Sequence, residues 1–546
     1  MNKAETNAEH RERERKKRQE LLTMEPARLL LKTALPLLMY SCIQIAFQFF
    51  DVLTVANISR NMVSTVLLAG DLQMIFNMIF ISASVAVGIR ISHAFGAGDM
   101  KQIRRDISTV FFLTLFIVSL VLGITLPASP VLLRLCAFPE ELISSGSVYF
   151  SISMVSLFFT SINQVYFATE KARGNTRLVS RCNIISLIVK VLLNAVILYL
   201  VRHSLVDLSV VAYLLPAASC AAQAAVSAVS FHGFFSRKSM FRVHWKDTTF
   251  TRTFFKDFAK LSLPLIAERV LISSAKTICN GFYAVFGSPG LAAFACSGRI
   301  ASLITMPLTS FQDAETTVTA VNLGNRRYDR VEVIFRKTAL IIFAVAATLF
   351  TAVWLASGHL IAYFAKGDAQ LAENIARIYS IQRWDFVFVA IDSICCGCLY
   401  AMKKTKLPTI VNFIKLFVVR IPLFLLMTRI LGMGIEAIAW AILLSNMFDA
   451  VMSVFFLIRG RRSFAKAVRQ EESANSRLRS AIQALGRLDA FDWQPGKGTA
   501  GVPGDLMLTM RESMGGTLTE QEMTEAYRYA LVEARIDELE KTERME

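Results

Sequence analysis

The chain has 546 residues, of which 54% are hydrophobic and only 18% charged, and its mean hydropathy is +0.48. Soluble domains contain roughly 45–50% apolar and about 25% charged residues, so this composition excludes a single soluble domain. The formal net charge of +17 is assigned to basic loops at the inner membrane surface, and no nucleic-acid partner is predicted. The composition therefore predicts an all-α polytopic membrane protein.

Twelve segments are long enough to cross a bilayer whose hydrocarbon core is roughly 30 Å thick. They cover residues 29–57, 63–89, 107–128, 147–168, 183–201, 208–234, 260–286, 291–321, 337–357, 377–401, 407–430 and 434–458. Basic connections, such as "EKARGNTRLVSR" and "MKKTK", alternate with connections that carry few positive charges. By the positive-inside rule both termini are predicted to be cytoplasmic, and the plasma membrane is the predicted location.

The ends and the middle of the chain differ from the apolar segments in composition. The predicted division is a basic N-terminal segment at 1–28, a first six-helix lobe at 29–235, a basic linker at 236–259, a second six-helix lobe at 260–460 and a C-terminal tail at 461–546. The N-terminal segment is expected to lie on the anionic inner leaflet. Two interpretations of the tail remain open, a binding segment for a cytoplasmic partner and a solvated extension.

An internal repeat relates the two lobes. The run "KTALPLL" at 32–38 returns as "KLSLPLI" at 260–266, and we call the separation of Lys32 from Lys260 the repeat offset. The same offset separates Gly96 from Gly324, and the separation of Thr176 from Thr405 is one residue longer. Because each copy has an even number of spans, the copies have the same orientation. They are predicted to be related by an axis along the membrane normal, as in secondary transporters.

Several short motifs occur in a fixed order along these spans. They are "ALPLL" and "FFDVLTV" in the first span, "AFGAGD" after the second, "RGNTR" after the fourth, and "VVRIPLFLL" followed by "GMGIEAIAWAILLSN" in the last pair. This order resembles the multidrug and toxic compound extrusion (MATE) family over roughly residues 27–460. The resemblance implies two six-helix lobes around a V-shaped cleft that export organic cations in exchange for Na⁺ or H⁺, with no other cofactor.

Polar residues follow helical spacing on the spans that begin each lobe. The first span carries Ser41, Gln44, Gln48 and Asp51, and the seventh carries Arg269, Ser273, Lys276 and Asn280 at repeat-related positions. The second and eighth spans carry Asn77 and Ser84, and Thr305, Thr309 and Gln312. Single polar residues of this kind often only hydrogen-bond between helices. Their symmetric placement favours a water-filled substrate cleft.

Charges inside apolar spans are candidate functional sites because the bilayer tolerates them poorly. The resemblance implies a cation and proton site of the first lobe, formed by the aspartate at Asp51 and two fifth-span positions. Those two positions are Lys190 and Asn194 in this chain. Lys190 is predicted either to replace the cation as a fixed partner of Asp51, which would impair a sodium site, or to snorkel towards the inner surface.

The second lobe carries its own charged candidates. Asp385 and Asp392 share a face of the tenth span, and Glu268 and Lys276 lie on the seventh. The resemblance places coupling acids on these two helices, about one turn away from the residues of this chain. A coupling role and a structural ion pair both remain open.

A gate is predicted from the repeat. Asp71 and Arg299 are separated by the repeat offset, have opposite charges and lie near the outer ends of their helices. Residues related by a two-fold axis can approach each other only near that axis. The pair is predicted to latch the outer mouth of the cleft, and two independent interface anchors are the alternative.

Other chemistry is not favoured. The "GAGD" run lies in a basic loop whose repeat copy reads "GNRR", which does not suit an intramembrane protease, and "PGKGTAG" lacks the spacing of an ATP-binding loop. The six histidines are scattered singly, so no metal site is predicted. The predicted function is a MATE-like antiporter of small organic compounds and not an enzyme. The alternatives are a lipid or lipid-linked oligosaccharide flippase and a transport-incompetent sensor, and the substrate and oligomeric state stay open.

Overall fold

A computed structural model describes residues 3–56, 60–135, 140–203, 208–236, 241–365 and 367–486. Within these ranges the chain forms sixteen α-helices and no β-strand. The helices are α1 (Lys3–Thr23), α2 (Pro26–Ala56), α3 (Arg60–Ala97), α4 (Met100–Thr125), α5 (Ser129–Leu135), α6 (Glu140–Ala172), α7 (Thr176–Arg202), α8 (Leu208–Phe235), α9 (Arg252–Tyr283), α10 (Gly287–Gly324), α11 (Tyr328–Ala365), α12 (Ala369–Gln382), α13 (Asp385–Ala401), α14 (Lys406–Phe413), α15 (Ile421–Leu425) and α16 (Glu436–Gly486).

Nine of the helices described are long and apolar enough to cross a membrane. The pair α12 and α13 adds a tenth candidate span, bent by 47° at the break between them. Helices α2 and α9 begin the two repeat copies. The structure confirms the predicted all-α polytopic fold class.

The eleventh span is not a continuous α-helix. Two π-helical stretches, Ile414–Arg420 and Leu426–Ile430, flank α15, and the first of them separates it from α14. A π-helical turn holds one more residue than an α-helical turn, and such turns occur frequently at functional sites. The first stretch carries two cationic side chains, Lys415 and Arg420.

Related hydrogen bonds tie helices together within each repeat copy. In the first copy, Ser180 Oγ of α7 donates to the carbonyl oxygen of Pro36 in α2 at 2.7 Å. In the second, Thr409 Oγ1 of α14 donates to the carbonyl oxygen of Pro264 in α9 at 2.9 Å. The two prolines are separated by the repeat offset, and the two hydroxyl residues by one residue more. The repeat seen in the sequence therefore extends to the packing.

The two copies meet where α3 and α10 end. A Cβ built on Gly96 would lie 1.9 Å from the carbonyl oxygen of Val321, and one built on Gly324 would lie 2.0 Å from the carbonyl oxygen of His93. Only glycine permits backbones to approach this closely. We call this end of the bundle, with the turns at 96–99, 173–175, 325–327 and 402–405, the basic end.

Helix α1 packs across the basic end. Its Leu21 and Leu22 are buried in the apolar cluster that also contains Phe95 of α3. Arg18 donates to the carbonyl oxygen of Gly96 at 2.8 Å and to Asn325 Oδ1 at 2.9 Å, so one side chain joins both copies. The predicted position on the inner leaflet stays a prediction, and these contacts add a docking surface on the protein that the sequence did not predict.

Candidate functional site

A cavity of about 500 Å³ lies between the two repeat copies, directly above the basic end. The first copy contributes residues 81–92 of α3 and 164–172 of α6. The second copy contributes parts of α9, α10 and α13, together with Asn412 and Lys415 of the eleventh span. The cavity is therefore a shared site, and its shape depends on how the two copies pack.

Six residues predicted from the sequence line this cavity. They are Ser84, Glu268, Arg269, Thr309, Gln312 and Asp392. Two of them, Glu268 and Asp392, were predicted as coupling acids from different spans. The fold brings them to one wall of the cavity.

Other predicted residues do not line it. Those described elsewhere in the bundle are Ser41, Gln44, Asn77, Lys190, Asn194, Ser273, Arg299, Thr305 and Asp385. Ser41 illustrates the alternative role of polar residues, because its Oγ lies 2.9 Å from Ser310 Oγ and joins α2 to α10. Lys190 and Asn194 lie on α7, the helix that packs against α2.

Some predictions concern side chains outside the described part of the chain. These are Gln48, Asp51, Asp71, Lys276 and Asn280. The proposed pairing of Asp51 with Lys190 and the proposed gate between Asp71 and Arg299 therefore remain predictions. The predicted partner-binding tail also lies outside the description from residue 487 onwards.

Glu268 is held by two donors from other helices. Tyr400 Oη donates to both of its carboxylate oxygens, at 2.7 and 2.8 Å, and Asn412 Nδ2 donates to Oε1 at 3.2 Å. The glutamate is only 5% exposed. A buried carboxylate needs such partners, since an unpaired buried charge is costly. These bonds orient the carboxyl group at the cavity wall.

Asp392 lies beside an ion pair formed by residues of the last two spans. Ser453 Oγ donates to Asp392 Oδ1 at 2.8 Å, and Cys396 Sγ donates to the same oxygen at 3.2 Å. Lys415 Nζ lies 2.5 Å from Asp449 Oδ2, and Asp449 is close enough to interact electrostatically with Asp392. Lys415 lines the cavity and Asp449 is buried behind it. The four charges of Glu268, Asp392, Lys415 and Asp449 form one network, which we call the second-lobe network.

A neighbouring network surrounds Asp385. Asn446 Nδ2 donates to both oxygens of Asp385 at 2.8 Å. Arg420 donates to Asn446 Oδ1 and to Ser445 Oγ, each at 2.8 Å. Asp385 thus connects through an amide to a cation on the first π-helical stretch, away from the cavity lining.

Several residues of these networks were not predicted from the sequence, among them Tyr400, Asn412, Lys415 and Asp449. Tyr400 and Asn412 carry no charge, and nothing in their spacing distinguishes them from other polar residues. Lys415 and Asp449 did carry a usable signal, because each is a charge inside an apolar span. The criterion that selected Lys190 would have selected both.

One ion pair crosses between the copies at the floor of the cavity. Lys171 Nζ of α6 lies 2.8 Å from Asp313 Oδ2 of α10, and both residues line the cavity. Their side chains are 31% and 47% exposed, so the pair is partly hydrated. A pair of this kind contributes about 0–1 kcal/mol, enough to bias a packing equilibrium without locking it.

The charged residues of the lining balance formally. The acids are Glu268, Asp313 and Asp392, and the bases are Lys171, Arg269 and Lys415. Apolar side chains, among them Phe167 and Met306, complete the walls. A pocket whose lining mixes apolar side chains with hydroxyl, amide and charged groups suits an amphiphilic small molecule.

Comparisons with known proteins agree with this architecture. The family model MatE matches residues 36–196 and 264–426, one block in each repeat copy. The chain is 22% identical over 440 residues to the probable multidrug resistance protein NorM of Thermotoga maritima, a match that covers 79% of this chain and 92% of that protein. It is 21% identical over 362 residues to the probable multidrug resistance protein YoeA of Bacillus subtilis, covering 64% and 76%.

Solved structures share the fold. A crystal structure of MATE in complex with MaL6 superposes with a TM-score of 0.76 at 16% identity, covering 83% of this chain and 99% of that one. A transporter of the MOP superfamily from Pyrococcus furiosus superposes with a TM-score of 0.75 at 16% identity, covering 82% and 98%.

Two repeat copies of six spans around a shared charged cavity define a multi-pass membrane transport protein. The chain belongs to the MatE family, which confirms the resemblance seen in the order of its sequence motifs and the twelve-helix, two-lobe fold.

Proposed function

We propose that this protein exports small organic compounds, cationic or amphiphilic, in exchange for Na⁺ or H⁺ that enters through the second-lobe network. The observation that carries the proposal is the meeting of Glu268 and Asp392 at the wall of the interlobe cavity. Both carboxyl groups can accept a proton or a metal cation, and both face the space where a substrate would lie. Coupling then follows because ion and substrate compete for the same negative charge.

Lys415 gives the network a way to respond to ion binding. Its ammonium pairs with Asp449, which also interacts with Asp392. Neutralising Asp392 would remove one of two acids near this lysine and strengthen its pairing with the other. Because Lys415 lines the cavity, such a change would be felt at the substrate site.

Alternating access supplies the movement. Contacts close the basic end of the structure, namely the glycine crossing of α3 and α10, the pair of Lys171 with Asp313, and the bridge through Arg18. By the positive-inside rule we expect this end to face the cytoplasm. Loading a substrate from the cytoplasm would require these contacts to break and to re-form on release outside.

Flux measurements in proteoliposomes test the proposal. A sodium gradient and a proton gradient should be imposed in separate experiments. At least one of them should drive the accumulation of an organic cation such as ethidium against its own gradient. Transport of a fluorescent lipid without any cation flux would support the flippase alternative, and absence of both would support the sensor. Neither alternative is favoured, since the MatE match spans both repeat copies.

A further inference from the structure

A groove of about 560 Å³ opens on the surface of the second lobe, between α9 and α14. Its floor is apolar and includes Leu263 and Ile410, which are 61% and 47% exposed. Three lysines line it as well, namely Lys256, Lys260 and Lys406. The groove therefore combines an apolar floor with a cluster of positive charge.

The position of the groove matches the boundary of the membrane. Lys406 is the first residue of the candidate span Lys406–Ile430, so we expect its ammonium at the boundary between hydrocarbon and headgroups. Ile410 lies one turn further into the span, and Lys260 one turn before Pro264 on α9. Thr409 of α14 donates to the carbonyl oxygen of Pro264, which sets α9 and α14 at the same level. The lysines therefore lie at headgroup depth, and the floor lies at acyl-chain depth.

The first repeat copy carries the same pattern of cations. Arg28 and Lys32 precede Lys256 and Lys260 by the repeat offset, and Arg177 precedes Lys406 by one residue more. In this copy, however, acids from the N-terminal segment pair with two of the three cations. Glu20 pairs with Lys32, and Glu25 pairs with Arg28 at 3.3 Å.

In the second copy, only one of the three described lysines lies near an acid. Asp257 lies 4.0 Å from Lys260, and within the described part of the chain Lys256 and Lys406 form no ion pair. The repeat thus provides two equivalent surfaces that differ in how many of their cations pair with acids. The surface of the second copy keeps more positive charge and has the character of a site for an anion.

We propose that this groove binds one anionic phospholipid of the leaflet at the basic end. The phosphate would accept hydrogen bonds from the lysine ammonium groups, and one acyl chain would lie along Leu263 and Ile410. Basic pockets between spans at the cytoplasmic side are known to suit anionic headgroups. A free phosphate ion would leave the apolar floor unused, whereas a phospholipid matches both parts of the groove. The proposal does not depend on the transport activity.

Native mass spectrometry of the purified full-length chain tests it. Phosphatidylglycerol and phosphatidylcholine with the same acyl chains should be titrated in parallel. The unmodified chain should bind phosphatidylglycerol more tightly, and each lysine neutralised to glutamine should weaken that binding about fivefold. The combined change Lys256→Gln, Lys260→Gln and Lys406→Gln should remove the preference between the two lipids.

The first repeat copy provides the matched control. Arg28→Gln, Lys32→Gln and Arg177→Gln remove the same number of charges at equivalent positions and should leave the preference intact. A photoreactive group on the acyl chain of phosphatidylglycerol should label the peptide that contains Leu263, and inorganic phosphate at equal concentration should not reduce the labelling. Equal losses in the two triple variants, no labelling near Leu263, or displacement by phosphate would each overturn the proposal.

Discussion

Gly96 of α3 and Gly324 of α10 contact each other's helix in the same way. Each glycine lies against a carbonyl group of the partner helix, those of Val321 and His93, and these two residues are themselves separated by the repeat offset. A contact that maps onto itself when the copies are exchanged must lie on the pseudo-two-fold axis. The axis therefore passes through the basic end, where two residues without side chains allow the copies to approach closely.

Replacing either glycine should open this end. Gly96→Ala or Gly324→Ala would place a methyl group about 2 Å from a backbone oxygen, so the two copies must separate or the protein loses stability by at least the roughly 1–3 kcal/mol typical of overpacking. To measure the opening, a cysteine is introduced at the cavity floor and its accessibility to a reagent added at the basic end is determined.

The same helices supply controls for this prediction. Gly70 of α3 and Gly298 of α10 have nothing within 4 Å of a built Cβ, so alanine at these positions should keep the basic end closed. If Gly96→Ala and Gly298→Ala gave the same accessibility and the same melting temperature, the crossing would not be what closes the bundle.

The interlobe ion pair gives a second prediction. Reversing Lys171 to Asp or Asp313 to Lys alone should favour opening of the basic end, and reversing both should restore closure. The coupling energy from the double-mutant cycle should be about 0.2–1 kcal/mol because the pair is partly hydrated. The pair of Arg336 with Glu332, 3.0 Å apart within α11, is the control and should not affect accessibility. Simple additivity of the two reversals would show that Lys171 and Asp313 are not coupled.

The spans could be predicted from hydropathy, but the closure of the basic end could not. The predicted second span ends at residue 89, whereas α3 continues to Ala97 and carries Gly96 to the crossing. Hydropathy marks where the membrane ends, and a helix can extend beyond it with polar residues. The repeat did identify Gly96 and Gly324 as equivalent. Their close approach depends on the angle between two helices, which no local pattern contains.

The candidate site was predictable to a similar degree. Glu268 and Asp392 were accessible from the sequence because a charge in an apolar span is rare. Tyr400 and Asn412 were not, since their role comes from the rotation of α13 and α14 towards α9. The docking of α1 was also missed, because a basic helix matches a lipid surface as well as a protein surface until its partners are known.

A third prediction concerns how α1 is held. Burial raises the pKa of Glu14, but the hydrogen bonds and positive charge of Arg173, helped by Lys17, outweigh it and hold the pKa below the ordinary value of 4.5. A carboxyl group with a lowered pKa contributes stability above its ordinary pKa and loses it as the pH falls through the lowered value. Docking of α1 should therefore be constant at neutral pH and weaken only below about pH 4.5.

Spin labels at the exposed positions 15 and 337 measure this docking by their separation. Glu14→Gln should release α1 at neutral pH, because it leaves Arg173, which is 12% exposed and also pairs with Glu170, without its bidentate partner. Because Arg173 keeps its pair with Glu170, the cost should be smaller than the roughly 3–5 kcal/mol of a buried charge left without any partner. Glu12→Gln removes an exposed partner of Lys16 and is the control. Docking that weakened between pH 6 and 8 would contradict the assignment to Glu14.

The first lobe gives a fourth prediction. If Lys190 replaces a coupling cation beside Asp51, transport should be insensitive to sodium at fixed membrane potential. Lys190→Asn combined with Asn194→Asp should then introduce sodium dependence, since it creates an acid and an amide in place of an ammonium and an amide. If flux by the unmodified protein rose with sodium concentration, Lys190 would not replace the coupling cation. The snorkelling position of Lys190 would then be favoured.

Gradient-driven transport by variants of the second-lobe network tests the central claim most directly. Proteoliposomes containing the unmodified protein, Glu268→Gln, Asp392→Asn and the exposed control Glu332→Gln should be compared under the same imposed cation gradient. Each of the first two variants removes an acid from the cavity wall, so uptake of an organic cation should fall at least about tenfold, equivalent to about 1.4 kcal/mol, while the control transports normally. Uptake at the unmodified rate by both Glu268→Gln and Asp392→Asn would contradict the assignment of ion coupling to this network.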